Sequence, residues 1–228
     1  MWALPIGLLL ATALSASNEE EWSPVHKYHY THWRRTYTTP VEVGVYYEAQ
    51  CPDSQDFIID QLLPAYEKAP NLIRPIFIPY GKAHTIRTPT GYEFVCQHGP
   101  SECEGNKIHA CAIDVLQEID IQLKYIGCLM SDYDYPELVG QKCAKQLGID
   151  WNPILWCSRE TKGTELLRAY GEATKALDPP VSFIPTVTLN GKQGDQSAIL
   201  YDLWGEICKM FESPKPSQCV PWYYRIFE

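Results

Sequence analysis

The chain has 228 residues, of which 19 are lysine or arginine and 28 are aspartate or glutamate, so its net charge is −9. An acidic chain lacks the positive charge that holds a phosphate backbone, which excludes nucleic acid as an expected partner. The length suits one domain, or a core domain that carries an insertion.

Residues 1–17 are apolar, carry no charged side chain and end in small residues. This pattern predicts a signal peptide, although the usual amino-terminal Lys or Arg is missing and an uncleaved anchor is the alternative. No later stretch is long and apolar enough for a membrane helix. We therefore expect no membrane association and a secreted protein, or alternatively a protein of the endosomal or lysosomal lumen.

Residues 18–40 are polar, aromatic and irregular, and we predict an N-terminal arm or pro-segment. Within it, His26, His29 and His32 recur every three residues. On a helix they could hold zinc or copper, but their β-branched and aromatic neighbours disfavour a helix. We interpret them as incidental side chains of an arm.

A strand followed by a helix surrounds the first cysteine. Val41 to Ala49 is a nearly continuous apolar run that predicts a buried strand. Cys51 follows at the start of a helix, where free backbone N–H groups stabilise a thiolate, so it is the candidate nucleophile. A redox pair would place a second thiol three residues later, but Ser54 occupies that position. Pro64 is expected to bend or end the helix.

Nine cysteines in a secreted chain indicate disulfides, and an odd number leaves one thiol unpaired. Cys51 is the candidate for the free thiol because the other eight lie much later in the chain. The sequence does not assign their pairing, although a bridge from Cys208 to Cys219 would tie back the proline-rich tail, residues 213–228. The eight that could form four bridges are Cys96, Cys103, Cys111, Cys128, Cys143, Cys157, Cys208 and Cys219.

The remaining pattern predicts a second strand, polar turns, a helical block, a third strand and a closing helix. Pro185 lies inside the third strand, which implies an edge position or a bend from a cis Ile184–Pro185 bond. Asn190-Gly191 then signals a hairpin. The predicted ranges are a strand at Leu72–Tyr80, turns at 81–95, one long core helix through 108–126, helices at Pro136–Leu147 and Thr164–Ala176, the strand Val181–Leu189 and a helix at Ile199–Phe211.

This order of elements resembles a thioredoxin-like α/β domain over residues 41–212, with a disulfide-stapled helical insertion at about 84–180 between the halves of the core. The segment CQHGPSECEGNKIHAC, from Cys96 to Cys111, is more specific. It matches the CQHG-x2-EC-x2-N-x4-C signature and resembles the gamma-interferon-inducible lysosomal thiol reductase (GILT) family. IPYGKA at 78–83 and FIPTVTLNGK at 183–192 are also similar to that family.

The resemblance implies reduction of protein disulfides in acidic endosomal compartments. It assigns the nucleophile to Cys51 and places Pro185, in the cis form, beside the active site. Ser54 departs from the family's C-x-x-C pair. The chain also contains no N-x-S/T sequon, so glycan-based sorting to lysosomes is unsupported. Cys51, Ser54 and Pro185 are therefore the candidate catalytic residues.

A serine at the second position changes the expected chemistry. Ser54 cannot resolve a mixed disulfide, although its hydroxyl could hydrogen-bond a Cys51 thiolate. Cys51 could exchange with glutathione or another small thiol, trap disulfide-containing proteins, or be an inherited residue without turnover. We expect a GILT-like oxidoreductase scaffold with weak or lost dithiol turnover and no other cofactor. The alternatives are a packed or paired Cys51, and a secreted binding or immune-interaction protein with a protein partner.

The signature segment also permits a zinc interpretation through its cysteines and histidines. Spacings of seven and eight residues between the cysteines do not match a zinc knuckle, and a secretory compartment favours oxidation. We therefore predict no metal site and interpret Gln97, His98 and Glu102 as local scaffold. The residues of the rejected zinc interpretation are Cys96, His98, Cys103, His109 and Cys111.

Overall fold

A three-stranded sheet forms the core of the computed structural model, which describes residues 39–132 and 134–221. The central strand β1 (Val41–Tyr47) pairs in parallel with β2 (Ile73–Pro79) and antiparallel with β5 (Thr186–Leu189). Five of the seven β1 residues are buried, as predicted for a strand covered on both faces.

The predicted signal peptide and nearly all of the predicted arm lie outside the described residues, as does the end of the predicted tail. Within residues 39–132 and 134–221, no helix is long and apolar enough to cross a membrane.

The helix after Cys51 continues through Pro64, so of the two expectations, a bend or an end at Pro64, the end was wrong. The N–H of Leu63 bonds to the carbonyl of Ile58, five residues earlier, which widens the turn just before the proline. Pro64 then lies at the start of the following α-helical part, where its missing N–H costs little. The consecutive parts are α1 (Pro52–Asp56), a π-helical segment (Phe57–Leu62) and α2 (Leu63–Lys68).

The insertion begins with a β-hairpin, where the sequence predicted only polar turns. Strands β3 (His84–Thr88) and β4 (Gly91–Val95) pair antiparallel and form their own two-stranded sheet. Five helices follow, which agrees with the predicted helical character of the block. They are α3 (Pro100–Val115), α4 (Ile119–Met130), α5 (Pro136–Leu147), α6 (Asn152–Arg159) and α7 (Thr161–Lys175).

The single long helix predicted through residues 108–126 is two helices, α3 and α4, so that prediction was wrong. Leu116 has extended backbone dihedrals, with φ −86° and ψ 112°, which end α3. The side-chain amide of Gln122 donates to the carbonyl of Ile113 at 3.0 Å and also to that of Leu116. This side chain satisfies carbonyls that the end of α3 leaves free.

The last part of the chain completes the sheet and closes the domain. The bond between Ile184 and Pro185 is cis, and β5 begins only after it, so the strand is shorter than predicted. Asn190-Gly191 forms a tight turn, but the described chain continues into helix rather than into a second strand. The predicted closing helix is broken at Asp202 into two helices. They are α8 (Gln196–Tyr201) and α9 (Leu203–Lys209), and a short 3₁₀ turn follows at Ser217–Cys219.

Four disulfides use eight of the nine cysteines, and all nine lie in the described residues. Cys51 is the free thiol, which confirms the prediction that it is the unpaired cysteine of the nine. Three bridges staple the insertion and the fourth holds the tail, as predicted for that pair. They are Cys96–Cys103 across the start of α3, Cys111–Cys157 between α3 and α6, Cys128–Cys143 between α4 and α5, and Cys208–Cys219.

Candidate active site

Cys51 lies at the junction between the loop after β1 and the first turn of α1. It is the N-cap residue, with φ −82° and ψ 120°, and its side chain is only 7% exposed. Its backbone N–H donates to the carbonyl of Glu48 at 3.3 Å, which closes a turn ahead of the thiol. Its Sγ atom lies 4.0 Å from the carbonyl oxygen of Ile184. The thiol therefore lies next to the cis bond that precedes Pro185, as the sequence predicted.

Ser54 is fully buried one turn into the helix. Its hydroxyl oxygen accepts a hydrogen bond from the backbone N–H of Glu48 at 3.4 Å. The sequence suggested a hydrogen bond to a Cys51 thiolate, whereas the bond seen here fixes the backbone of the preceding loop. Ser54 thus ties the loop to α1.

Helix α3 of the insertion holds the same loop from the other side. The side-chain oxygen of Asn106 accepts from the N–H of Ala49 at 2.8 Å, and the Gln50 amide donates to the Ser101 hydroxyl at 2.9 Å. At Gly105, an added Cβ would lie 2.9 Å from the Ala49 methyl group, so the two backbones approach closely. The loop ahead of the thiol is therefore fixed by both the core and the insertion.

Tyr47 and His109 form a buried pair below this loop. The Tyr47 hydroxyl lies 2.8 Å from Nδ1 of His109, and both side chains are at most 3% exposed. Burial lowers the pKa of His109 to about 3 and raises the pKa of Tyr47. A neutral imidazole accepts at Nδ1 and the protonated phenol donates, so the pair is satisfied without charge.

Two buried carboxylates and one histidine form a cluster beside the loop, here called the Glu48 cluster (Glu48, His98 and Glu102). Nδ1 of His98 lies 2.5 Å from Oε2 of Glu102 and 3.5 Å from Oε2 of Glu48. Burial is the main cause that raises the pKa of Glu48, and the nearby Glu102 adds to it. The cluster offers three potential metal-ligand atoms within 4.8 Å of one another, and it is the group of this kind found among residues 39–132 and 134–221.

The signature segment acts in this structure as scaffold for the thiol loop. His98 and Glu102 bond to each other, which agrees with their predicted local role. The cysteine-based zinc interpretation is excluded, because all three of its cysteines are in disulfides. Sequence reasoning missed the roles of Glu48 and Asn106. Asn106 lies inside the recognised signature and could have been found from it, whereas nothing in the sequence distinguished Glu48.

A surface groove of about 350 Å³ is lined by residues of the helix that follows Cys51 and of the segment around Pro185, and it is here called the acidic groove. One wall is formed by three exposed aspartates on the helix that follows Cys51, and the other wall is apolar. Ile184, whose carbonyl contacts the Cys51 sulfur, is part of the apolar wall. The lining residues are Asp53, Asp56, Phe57, Asp60 and Gln61 on the helix side and Phe183, Ile184, Pro185 and Leu200 on the other.

Sequence comparison identifies relatives that match most of the chain. The family model described as gamma interferon inducible lysosomal thiol reductase matches residues 42–147. GILT-like protein 1 of Drosophila melanogaster is 36% identical in an alignment of 197 residues that covers 78% of this chain and 78% of that protein. The gamma-interferon-inducible lysosomal thiol reductase of Carassius auratus is 31% identical over 188 residues, covering 79% of this chain and 72% of that protein.

Structural comparison gives the same fold at low sequence identity. The crystal structure of oxidised BdbD from Bacillus subtilis aligns with a TM-score of 0.55 and 15% identity. The alignment covers 75% of this chain and 87% of that chain, and at this identity it supports the fold alone. With a thioredoxin-like fold, four disulfides and curated relatives along most of its length, the chain belongs to the GILT family.

Proposed function

We propose that this protein is a thiol–disulfide oxidoreductase that acts through Cys51 alone. The observation that carries the proposal is the distribution of thiols. Eight cysteines are paired in disulfides and Cys51 is free at a helix start beside the cis Ile184–Pro185 bond. Ser54 occupies the place from which a second thiol would act.

The proposed reaction has two exchange steps. The Cys51 thiolate attacks one sulfur of a substrate disulfide, forms a mixed disulfide and releases the other sulfur as a thiolate. Glutathione or another small thiol then attacks this mixed disulfide, frees Cys51 and leaves with the substrate sulfur as a new disulfide. A second small thiol reduces that product, so two small thiols supply the two electrons and no further cofactor is required.

Ser54 makes the second step dependent on an external thiol. A hydroxyl forms no disulfide, and the Ser54 oxygen is fully buried and bonded to the Glu48 N–H. The mixed disulfide therefore persists until a small thiol reaches Cys51, which is itself only 7% exposed. Slow turnover and long-lived covalent complexes are the expected behaviour.

The acidic groove supports protein substrates with cationic residues near the disulfide. Three aspartates line one wall, and the chain as a whole carries a net charge of −9. Opposite charge favours approach of a basic segment, while the apolar wall around Pro185 can accept an apolar side chain. Four disulfides support an oxidising workplace, either outside the cell or in the endosomal and lysosomal lumen.

Reduction of insulin by glutathione tests the proposal. We expect the parent to be about tenfold faster than Cys51→Ala, and Ser54→Cys to be faster than the parent because it restores a resolving thiol. Ser54→Ala is the matched control, since it removes the hydroxyl without adding sulfur; because it also removes the acceptor of the Glu48 N–H, its rate should not exceed that of the parent. If the parent is no faster than Cys51→Ala while Ser54→Cys gains activity, the protein is not a working reductase.

Covalent capture separates this function from a non-catalytic binding role. Under non-reducing conditions the parent should retain disulfide-linked partners that Cys51→Ala loses. The same partners retained by Cys51→Ala would instead indicate a secreted binding or immune-interaction protein on the GILT scaffold.

A further inference from the structure

The Glu48 cluster brings three ligand-type side chains together from different parts of the chain. Glu48 follows the end of β1, His98 lies in the loop before α3, and Glu102 lies in the first turn of α3. The carboxylates are 1% and 0% exposed, whereas 34% of the His98 side chain is exposed. The cluster therefore has a closed inner side and an opening toward solvent at the histidine.

Backbone donors orient both carboxylates in the same way. The N–H of Lys82 donates to Oε1 of Glu48 at 2.7 Å, and the N–H of His98 donates to Oε1 of Glu102 at 3.1 Å. Each carboxylate thus has one oxygen held by the backbone, and both Oε2 atoms face Nδ1 of His98. Such outer contacts orient the ligands of protein metal sites.

Gly81 makes room for this arrangement. Its φ is +59°, and an added Cβ would lie 2.1 Å from Cγ of Glu48 and 2.4 Å from Oε1. The backbone therefore packs directly on the Glu48 side chain. The Cys96–Cys103 bridge fixes the segment that carries His98, so the other ligands are also held in place.

One carboxylate oxygen of the cluster lacks a hydrogen bond within the part of the chain that the structure describes. Oε2 of Glu48 is buried and has no hydrogen-bond partner among residues 39–132 and 134–221. Burial of a polar oxygen without a hydrogen-bond partner is unfavourable. A divalent cation bound to both carboxylates and to the imidazole would supply that partner.

We propose that Glu48, His98 and Glu102 form a binding site for one zinc ion. Ligand atoms about 2.1 Å from a tetrahedral zinc are about 3.4 Å apart. The separation of 3.5 Å between His98 and Glu48 fits this geometry, whereas the 2.5 Å contact between His98 and Glu102 would lengthen by about 1 Å on binding. Calcium and magnesium require more oxygen ligands, whereas one imidazole with two carboxylates suits zinc. Water completes the coordination on the open side.

Bound zinc would fix the loop that carries the thiol. The Glu48 carbonyl accepts the N–H of Cys51, and the Glu48 N–H bonds to Ser54, so a metal on the Glu48 side chain clamps both ends of this turn. The site does not depend on thiol exchange at Cys51, and its occupancy is measured without a redox assay.

Zinc titration of the full chain tests the site in a background variant that lacks competing ligands. This variant carries Cys51→Ala and alanine at His26, His29 and His32, which are the free thiol and the histidines of the arm. Calorimetry with zinc chloride at neutral pH should give one zinc per chain. Excess calcium or magnesium should not displace it.

Two further substitutions in that background identify the ligands. Glu48→Gln and His98→Asn should each weaken zinc binding by at least about tenfold. Because His98 is partly exposed, its substitution keeps the test informative if Glu48→Gln unfolds. Glu93→Gln and His84→Asn are matched controls at exposed positions and should leave the affinity unchanged. A background variant that binds no zinc, or equal affinity in the background, Glu48→Gln and His98→Asn, would overturn the proposal.

Discussion

The buried pair of Tyr47 and His109 makes stability depend on pH in a defined direction. The pKa of His109 is about 3 in the folded protein and about 6.5 in an unfolded chain. Between these values the unfolded chain binds one more proton than the folded protein. The contribution of neutral His109 to the free energy of unfolding is therefore fully present above about pH 6.5 and is lost as the pH falls toward 3.

The size of this loss of stability follows from the pKa shift of His109. One pH unit corresponds to about 1.4 kcal/mol, so acidification to about pH 4.5 should lower the free energy of unfolding by about 2.7 kcal/mol through this histidine. That is a large share of the ~5–15 kcal/mol of a typical domain. His109→Gln should remove this part of the pH dependence, because the amide oxygen can still accept from the Tyr47 hydroxyl but does not titrate.

Urea unfolding at pH 7.5 and pH 4.5 measures the effect. The loss between the two values should be about 2.7 kcal/mol larger in the parent than in His109→Gln. The matched control is His84→Gln at an exposed position, which should behave as the parent does. Equal losses in the parent and His109→Gln would refute the assignment of a neutral buried histidine.

Three other perturbations should give measurable results. Gly81→Ala should cost about 3 kcal/mol of unfolding free energy, since its φ is +59° and the new Cβ meets the Glu48 side chain. Gly148→Ala, also at positive φ but with open space, should cost only about 1 kcal/mol, and equal costs would contradict the packing argument. Asn106→Ala should cost about 2 kcal/mol by leaving a buried N–H without an acceptor. Asn190→Ala, at an exposed bond, should cost clearly less in the same urea titration. The acidic groove should make the thiol react about tenfold faster with cystamine, which is cationic, than with oxidised glutathione, which is anionic, at low salt. This preference should shrink in 0.5 M salt, and a ratio of the two rates that does not change with salt would contradict an electrostatic origin.

Those features of the thiol site that follow from cysteine pairing and from proline geometry could be predicted from the sequence. Nine cysteines that pair in disulfides leave one unpaired, and Cys51 at a strand–helix junction is that thiol. The cis bond before Pro185 was expected from a proline that cannot donate within a strand. The roles of Cys51, Ser54 and Pro185 in catalysis stay predictions. The fold class and the family followed from the element order and the signature segment.

Element boundaries were harder to predict because distant contacts decide them. The apolar periodicity continues across the break between α3 and α4, and the Gln122 amide that satisfies the end of α3 comes from the next helix. Pro64 was expected to bend or end a helix, but the helix continues through it because the wide turn before it accommodates the missing N–H. Strands β3 and β4 are short, mix polar and apolar residues, bury none of them fully and lack a strong alternating pattern, so only turns were predicted.

Residues that hold the site gave a weaker signal than the thiol itself. The importance of Glu48 depends on the Gly81 backbone and the His98 loop, which the fold brings to it from later parts of the chain. Asn106 contacts Ala49, 57 residues earlier. Contacts of this kind depend on tertiary structure, and spacing along the chain does not reveal them.

The attachment of α3 to the loop after β1 determines whether this domain can be reduced to a smaller unit. Deletion of residues 84–180 would remove the acceptors of two buried donors, the Ala49 N–H and the Tyr47 hydroxyl. Each unsatisfied donor costs about 1–3 kcal/mol. The insertion therefore does not behave as a removable module on a minimal thioredoxin-like core. A shortened version of this protein, or a graft of its Cys51 loop onto a smaller scaffold, must supply a new acceptor for both donors.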